Sequence, residues 1–355
     1  MQSEIISAIQ LIRSEGVGPR TYYSLLRKFG SVDEALLYVG DKAYPKAKAE
    51  EEIKKAEKAK IQILLHSSSC YPKILAETYD APPVLFYKGN LDLLQRDSIA
   101  FVGTRNASAN GCAITRKLAA EIGNAGFVVT SGLARGVDTE AHKASLKTGT
   151  IAVVAGGLDV VYPPENKKLF DQIAEQGLII GENPVGTEPI ARHFPQRNRI
   201  IAGLSRGVVV VEAAKRSGSL ITAEYAVREG REVFAVPGSP LDPRCSGTNY
   251  LIKCGAQLVE TEADIIDNLG HVKPVTLLEN MESYEAEQDD VFIEQVIPSN
   301  IGELVISKLG RSPISVDELA SQLQLPISKI NEVLLELEMT GKLQRQFGNK
   351  VALAA

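Results

Sequence analysis

Apolar residues recur along this chain at two different periods, and the change of period divides it. In "MQSEIISAIQLIRSEG" and again in "TYYSLLRKFGSVDEAL" they return every three or four residues, the spacing of amphipathic helices, so residues 1–65 are predicted to be a helical domain. From about residue 95 to 270 short runs of Val, Ile and Ala alternate with helical stretches. Seven strands are predicted: "SIAFVG", "FVVTSG", "TIAVVAGG", "LIIGE", "GVVVVEA", "EVFAVPG" and "AQLVET". They are apolar nearly throughout, as strands of a parallel sheet must be when helices cover both faces. Strand–helix alternation of this kind predicts an α/β doubly wound fold over residues 66–270. Residues 271–298 read as an acidic linker between Pro274 and Pro298. In residues 299–355 three helical segments precede "LQRQFGNKVALA", a hairpin turning at Gly348-Asn349, which together read as a winged helix.

Length and composition agree with this division. The 355 residues suit two or three domains, and 44% apolar content suffices for a real core. No apolar run approaches the roughly 20 residues of a membrane helix, and the N-terminus lacks the pattern of a secretory signal. The four cysteines are scattered without a CxxC pair, so neither a zinc site nor a disulfide framework is expected, and a cytoplasmic protein with reduced thiols is.

Net charge is −5, which argues against an indiscriminate polyanion binder. The charge is uneven, however. Residues 189–216 carry six Lys/Arg (Arg192, Arg197, Arg199, Arg206, Lys215 and Arg216) against one acid, Glu212, whereas residues 279–290 carry six acids and no base. Residues 299–355 balance at six and six, with Glu332, Glu336 and Glu338 on the third helical segment; an interaction module suits that charge better than a DNA reader.

Ligands of doubly wound sheets bind beyond the carboxyl ends of the strands, so the chemistry is expected in the strand-end loops. The first, "FVGTRNASANG", has the strand–glycine–helix layout of a phosphate loop. A dinucleotide site would need a second glycine and an acid closing the next strand. This chain has neither: the loop runs Gly103-Thr104-Arg105, and "FVVTSG" ends in Thr130, Ser131 and Gly132. Arg105 offers instead a guanidinium fork for a phosphate. In "SGLARGVDTEAH", Asp138 stands where an N-cap would and His142 one turn on; capping and packing are the preferred roles. In "RHFPQRNRIIAGLSRG", arginines surround Phe194. That pattern suits a single strand, with cations tracking the backbone and the ring stacking on a base, and equally suits a core anchor amid solvated charges. Ser217-Gly218-Ser219 opens a helix beside Lys215 and Arg216, which favours an anion site over a plain cap. The turn Gly16-Val17-Gly18-Pro19 resembles a helix-hairpin-helix, whose amides can hold a DNA phosphate; a helix connection with Pro19 at a helix start is the preferred reading.

At these residues the sequence resembles the DNA-processing protein A family (DprA/Smf). The matching stretches, in order from about residue 70 to 260, include "YPKILAETYDAPPVLFYKGN", "AFVGTRNAS", "VTSGLARGVDTEAHKASL", "HFPQRNRIIAGLS" and "EAAKRSGSLITAEYA". The resemblance implies an extended Rossmann-like, mostly parallel sheet between an N-terminal sterile-alpha-motif-like helical domain and a C-terminal winged helix. It also implies single-stranded DNA and RecA as partners, a homodimer, no cofactor, no metal and no enzymatic activity. The DNA-binding residues it implies are Gly103, Thr104, Arg105, Ser131, Gly132, Lys167, Arg192, Phe194, Arg197, Asn198, Arg199, Ser217, Gly218 and Ser219. One departure stands out. Many members carry a lysine three positions before the stacking aromatic, where this chain has Ala191, with Arg192 beside it. The competing reading is a nucleotide hydrolase like the lysine-decarboxylase-like phosphoribohydrolases; its PGGxGTxxE motif is reduced here to "SGSLITAE", ending in Glu224.

Overall fold

The computed structural model describes residues 2–269 continuously and part of residues 305–353. The chain forms two compact units, Met1–Val291 and Phe292–Ala355.

The first unit opens with four helices, α1 (Gln2–Arg13), α2 (Pro19–Phe29), α3 (Val32–Val39) and α4 (Lys46–Lys58). Local chemistry sets their ends. Pro19 begins α2 after an extended Gly18, and Gly30, at φ +82°, ends it. Ser31 caps α3 by accepting the Glu34 N–H at 3.2 Å. There follow β1 (Gln62–Leu65), α5 (Lys73–Ala76), β2 (Val84–Gly89), β3 (Ser98–Val102), α6 (Ala109–Asn124), β4 (Val128–Ser131), α7 (Val137–Ser145) and β5 (Thr150–Val153). The unit continues with α8 (Lys167–Gln176), β6 (Leu178–Gly181), α9 (His193–Leu204), β7 (Gly207–Val210), α10 (Gly218–Arg228), β8 (Glu232–Ala235), α11 (Ser246–Cys254), β9 (Gln257–Leu258) and α12 (Glu262–Ile266).

All nine strands form one sheet in the order β1-β2-β6-β5-β4-β3-β7-β8-β9. The strands from β6 to β9 across this order are parallel; β2 joins β6 antiparallel and β1 joins β2 antiparallel. Side chains alternate across the sheet with period two. Ile99 and Phe101 of β3 pack with Leu118, Ile122 and Val137 of α6 and α7, whereas Ala100 and Val102 pack with Ile200, Ile201 and Leu220 of α9 and α10. Helices therefore cover both faces, as the continuous apolar strands require.

Two features differ from the sequence reading. β1 and β2 were not among the seven expected strands. Both lie at the antiparallel edge, and an apolar run as short as "QILL" carries too little periodicity to separate strand from helix. The helical segment 1–65 accordingly ends in a strand of the sheet. It is also not self-contained in packing, because Ala8 and Ile9 of α1 and Ala49, Ile53 and Ala56 of α4 share one buried cluster with Phe86, Leu169 and Ile179.

In the second unit β10 (Ile314–Ser315), β11 (Leu343–Gln346) and β12 (Lys350–Leu353) form an antiparallel sheet in the order β10-β12-β11. The expected hairpin is present as the β11–β12 pair, with Leu343 opposite Leu353 and Gln346 opposite Lys350. Its Gly348-Asn349 turn, most of the three helical segments and the acidic stretch 271–298 lie outside the described residues.

Candidate nucleic-acid interface

The strand order reverses at β3. The chain runs from β3 through β4 and β5 to β6 on one side, then returns to place β7, β8 and β9 on the other. The crevice of a doubly wound sheet opens at such a point, here between the loops that follow β3 and β7. Those loops are locked together. The Thr104 N–H donates to the Glu212 carbonyl at 2.7 Å, and the Val137 N–H to the Thr104 carbonyl at 3.3 Å. The Glu212 side chain then turns to the start of α6, where its carboxylate accepts the Ser108 N–H at 2.9 Å and the Ser108 hydroxyl at 2.5 Å. It lies so close to Gly111 that a Cβ there would meet the carboxyl carbon at 2.5 Å. A cofactor phosphate would sit at this helix N-terminus. The chain's own carboxylate fills the place, so the loop offers no open phosphate cradle. Sequence reasoning counted Glu212 only as the lone acid of a basic segment.

Arg105 leaves this loop in the other direction. Its guanidinium carbon lies 5.1 Å from the centre of the Phe194 ring, a cation–π contact, and the Tyr162 ring lies 5.7 Å from Phe194 on a tilted plane. All three side chains are half-buried at the mouth of the crevice. Behind Phe194 a cavity of about 20 Å³ is lined by Gly132, Tyr162, Pro189 and Arg197, among others. Arg197 is buried, and neither its Nε nor its Nη1 donor meets a hydrogen-bond partner. Burial draws its pKa down to about 10; the Asp138 carboxylate opposes this and the Arg105 charge adds to it. Arg197 thus stays protonated at neutral pH. Asp138 is equally buried, and burial raises its pKa, against the opposing effects of Arg197, the Ala134 and Gly132 amides and Arg105. An unsatisfied buried guanidinium behind an aromatic ring is an arrangement that an incoming anion would complete.

Three regions of the chain match families of known proteins. Residues 62–270 match DNA recombination-mediator protein A, residues 2–62 the DprA-like N-terminal HHH domain, and residues 298–349 the DprA winged helix domain. The chain belongs to the DNA recombination-mediator protein A family. Its relatives include the DNA processing protein DprA of Streptococcus pneumoniae, 52% identical over 199 residues that cover 56% of this chain and 70% of that protein. Protein Smf of Escherichia coli is 37% identical over 317 residues, covering 88% of this chain and 82% of that protein. The crystal structure of the S. pneumoniae protein superposes with a TM-score of 0.65 at 41% identity, over 74% of this chain and 98% of that one. DNA processing protein A from Helicobacter pylori, described for its single-stranded DNA binding mode, superposes with a TM-score of 0.54 at 31% identity, over 62% of this chain and 97% of that one.

The family motifs occupy different depths in this fold. Ser131 is buried, and its hydroxyl donates to the Phe101 carbonyl at 2.6 Å, so the hydroxyl is engaged inside the sheet. The Gly132 N–H donates to Asp138 at 3.0 Å, and the Arg197 guanidinium occupies the space a Cβ on the glycine would need. Arg199 is buried on another side of α9, ion-paired with Glu182 and donating to the Asp80 carbonyl at 2.5 Å, which makes it a strut between elements. Asn198 Nδ2 reaches the Gly218 carbonyl at 3.3 Å and ties α9 to the Ser217-Gly218-Ser219 turn. There Ser217 is the N-cap of α10, and its hydroxyl lies 2.7 Å from that of Ser219. Ser217 thus makes the N-cap that the sequence reading ranked second, and Lys215 and Arg216 are exposed beside the turn. Arg192 is exposed at the start of α9, one residue after Ala191. Exposed Lys167 reaches Asp171 at 2.6 Å along α8.

The other candidates resolve into structural roles. Asp138 lies inside the first turn of α7, not at its cap, which is Gly136. Its carboxylate braces the preceding loop by accepting the Gly132 and Ala134 amides at 3.0 and 3.3 Å. Gly136, at φ +71°, lets that loop pass within 2.3 Å of the Thr104 carbonyl as measured from a would-be Cβ, a position no larger residue could take. His142 is buried with Nδ1 2.7 Å from the Thr150 hydroxyl. Glu224 of the hydrolase alternative pairs with Arg228, one turn along α10. Among the described residues no three His, Cys, Asp or Glu side chains converge as a metal site would need, and no helix is long and apolar enough to cross a membrane.

Proposed function

We propose that the switch-point crevice binds single-stranded DNA, with Arg105 and Phe194 as its contact pair. The observation that carries this reading is the Arg105 guanidinium over the Phe194 ring, with the unsatisfied donors of buried Arg197 behind them. Arg105 and exposed Arg192 grip phosphates, Phe194 stacks on a base, and Lys167, Lys215 and the Gly103–Thr104 loop border the path. Asn198, Arg199 and the Ser217–Ser219 turn hold α9 and its neighbours in place. These contacts go to backbone and base faces, so no sequence preference is expected. Family membership supports a recombination mediator that works in the cytoplasm as a homodimer, protects incoming strands and loads RecA onto them during natural transformation or recombination.

Fluorescence anisotropy with a labelled oligothymidine across a salt series tests the contact pair. Arg105→Ala should weaken binding and lower the log–log salt slope by about one unit, the signature of one lost phosphate contact. Phe194→Ala should cost ~1–3 kcal/mol with the slope unchanged. Wild-type affinity and slope in Arg105→Ala would remove the crevice from the binding path. RecA loading is read separately, as RecA filament formation on oligonucleotide coated by a single-strand binding protein, with and without this chain.

A further inference from the structure

A second groove lies away from the crevice, between α2 and the segment that joins β1 to β2. It encloses about 540 Å³ and is lined by Arg20, Thr21, Tyr23, Ser24 and Arg27 of α2, facing His66, Ala76, Thr78 and Tyr79. That volume falls within the roughly 300–1,000 Å³ of small-molecule sites. We propose that this groove binds one nucleotide unit, its base against the aromatic wall and its phosphate between the two arginines.

The lining carries two guanidinium groups and no carboxylate. Arg20 is exposed, and its guanidinium carbon lies 4.3 Å from the centre of the Tyr79 ring. Stacked there, it keeps its in-plane N–H donors available at the ring edge, the geometry that suits bidentate phosphate contact. Arg27 stands two turns further along α2, also exposed. Tyr79 itself is 69% exposed, held by its N–H to Glu229 at the rim at 3.4 Å. Tyr23 and His66 meet edge to face at 5.0 Å, and His66 meets Tyr71 at the same distance. Burial lowers the His66 pKa, so at neutral pH it presents a neutral ring. The Thr21 and Ser24 hydroxyls are exposed on the same helix. An acidic peptide would engage the arginines but leave the aromatic wall unused. A base carrying a phosphate uses both, whether as a free nucleotide or as one unit of a strand.

Photocrosslinking of the full chain with a dodecameric oligothymidine carrying 5-iodouracil, followed by peptide mapping, tests this. The expected result is a crosslink at Tyr79, Tyr23 or His66, reduced about tenfold (~1.4 kcal/mol) by Arg27→Ala and again by Arg20→Ala, both at exposed positions that leave the melting temperature unchanged. Competition by millimolar dTMP identifies a free-nucleotide site; competition by unlabelled oligonucleotide alone identifies a unit of a strand. The absence of any groove crosslink, a yield indifferent to both substitutions, or protection by poly-glutamate with none by either nucleotide probe would overturn the proposal. A crosslink at Phe194 reads the crevice independently, so each site can fail without the other.

Discussion

Replacing Gly132 by alanine should disable the crevice through one methyl group. The backbone at Gly132 is outside the positive-φ region, so alanine brings no conformational strain. The obstacle is Arg197: a Cβ on residue 132 would lie 1.3 Å from Nη1, 2.3 Å from Cζ and 2.7 Å from Nη2. Carbon and nitrogen do not approach much closer than about 3.4 Å without repulsion, so the guanidinium must retreat by about 2 Å in a close-packed interior. The cavity of about 20 Å³ that Arg197 and Gly132 both line leaves room for little more than a water molecule. Overpacking costs ~1–3 kcal/mol, and a displacement of about 2 Å puts this site at the upper end, ~3 kcal/mol. For a unit of this size each kcal/mol shifts the melting temperature by about 2–4 °C, so Gly132→Ala should melt roughly 6–12 °C lower. Arg197→Ala removes the obstacle, and because Asp138 keeps its two amide donors it should cost only about 1 kcal/mol. The double variant should therefore resemble Arg197→Ala, with the second substitution rescuing the first. Differential scanning calorimetry of the four proteins completes the cycle. Additive losses, with the double variant less stable than either single one, would refute the packing argument.

Other expectations follow from the same structure. The Thr150 hydroxyl donates to the Val129 carbonyl at 2.9 Å, so it accepts from His142 Nδ1–H, and Nε2 stays unprotonated, buried and without a partner. Burial and then the Arg197 charge lower the His142 pKa to about 3. The unfolded chain protonates near 6.5, so this contribution is complete above about pH 6.5 and is lost as pH falls toward 3; by pH 5 the loss amounts to about 2 kcal/mol, and His142→Gln should flatten that part of a stability–pH curve. Glu212→Ala should destabilise by about 2 kcal/mol by stripping Ser108 of its charged acceptor, and should make the melting temperature respond to sulfate or pyrophosphate where wild type does not. Arg199→Met should lower the melting temperature while leaving the salt slope of DNA binding unchanged, because its guanidinium is spent on Glu182 and Asp80.

The main architecture was legible because long-range burial leaves a local trace. All seven expected strands occur, since a central parallel strand must be apolar on both faces, and "GVVVVEA" has no other use for four valines. β1 escaped because an edge strand needs to be apolar on one face only, and β2, paired on both sides, because its apolar run gives way to Lys88 and Gly89 too soon to show a period. Of the proposed contact residues, Arg105 could be read as a charge in the loop after β3 and Phe194 as a ring among arginines, but nothing local placed one over the other or Phe194 in the first turn of α9. The separation of Arg197 from Arg199 was not. Two arginines two residues apart on a helix point in nearly opposite directions, and what each meets, Gly132 or Glu182, is fixed by segments distant in sequence. Glu212 was illegible for the same reason, because its partner Ser108 is 104 residues away.

The Glu212 carboxylate has a consequence for how such a scaffold can change its work. A helix N-terminus at a sheet's switch point attracts anions wherever it occurs, and a chain that must leave it empty inherits an affinity for whatever phosphate the cell supplies. Here the occupant is part of the polypeptide, present at unit stoichiometry and insensitive to metabolite levels. The position is thereby closed to a free phosphate by a single side chain, and only a change at residue 212 or a movement of that side chain would reopen it.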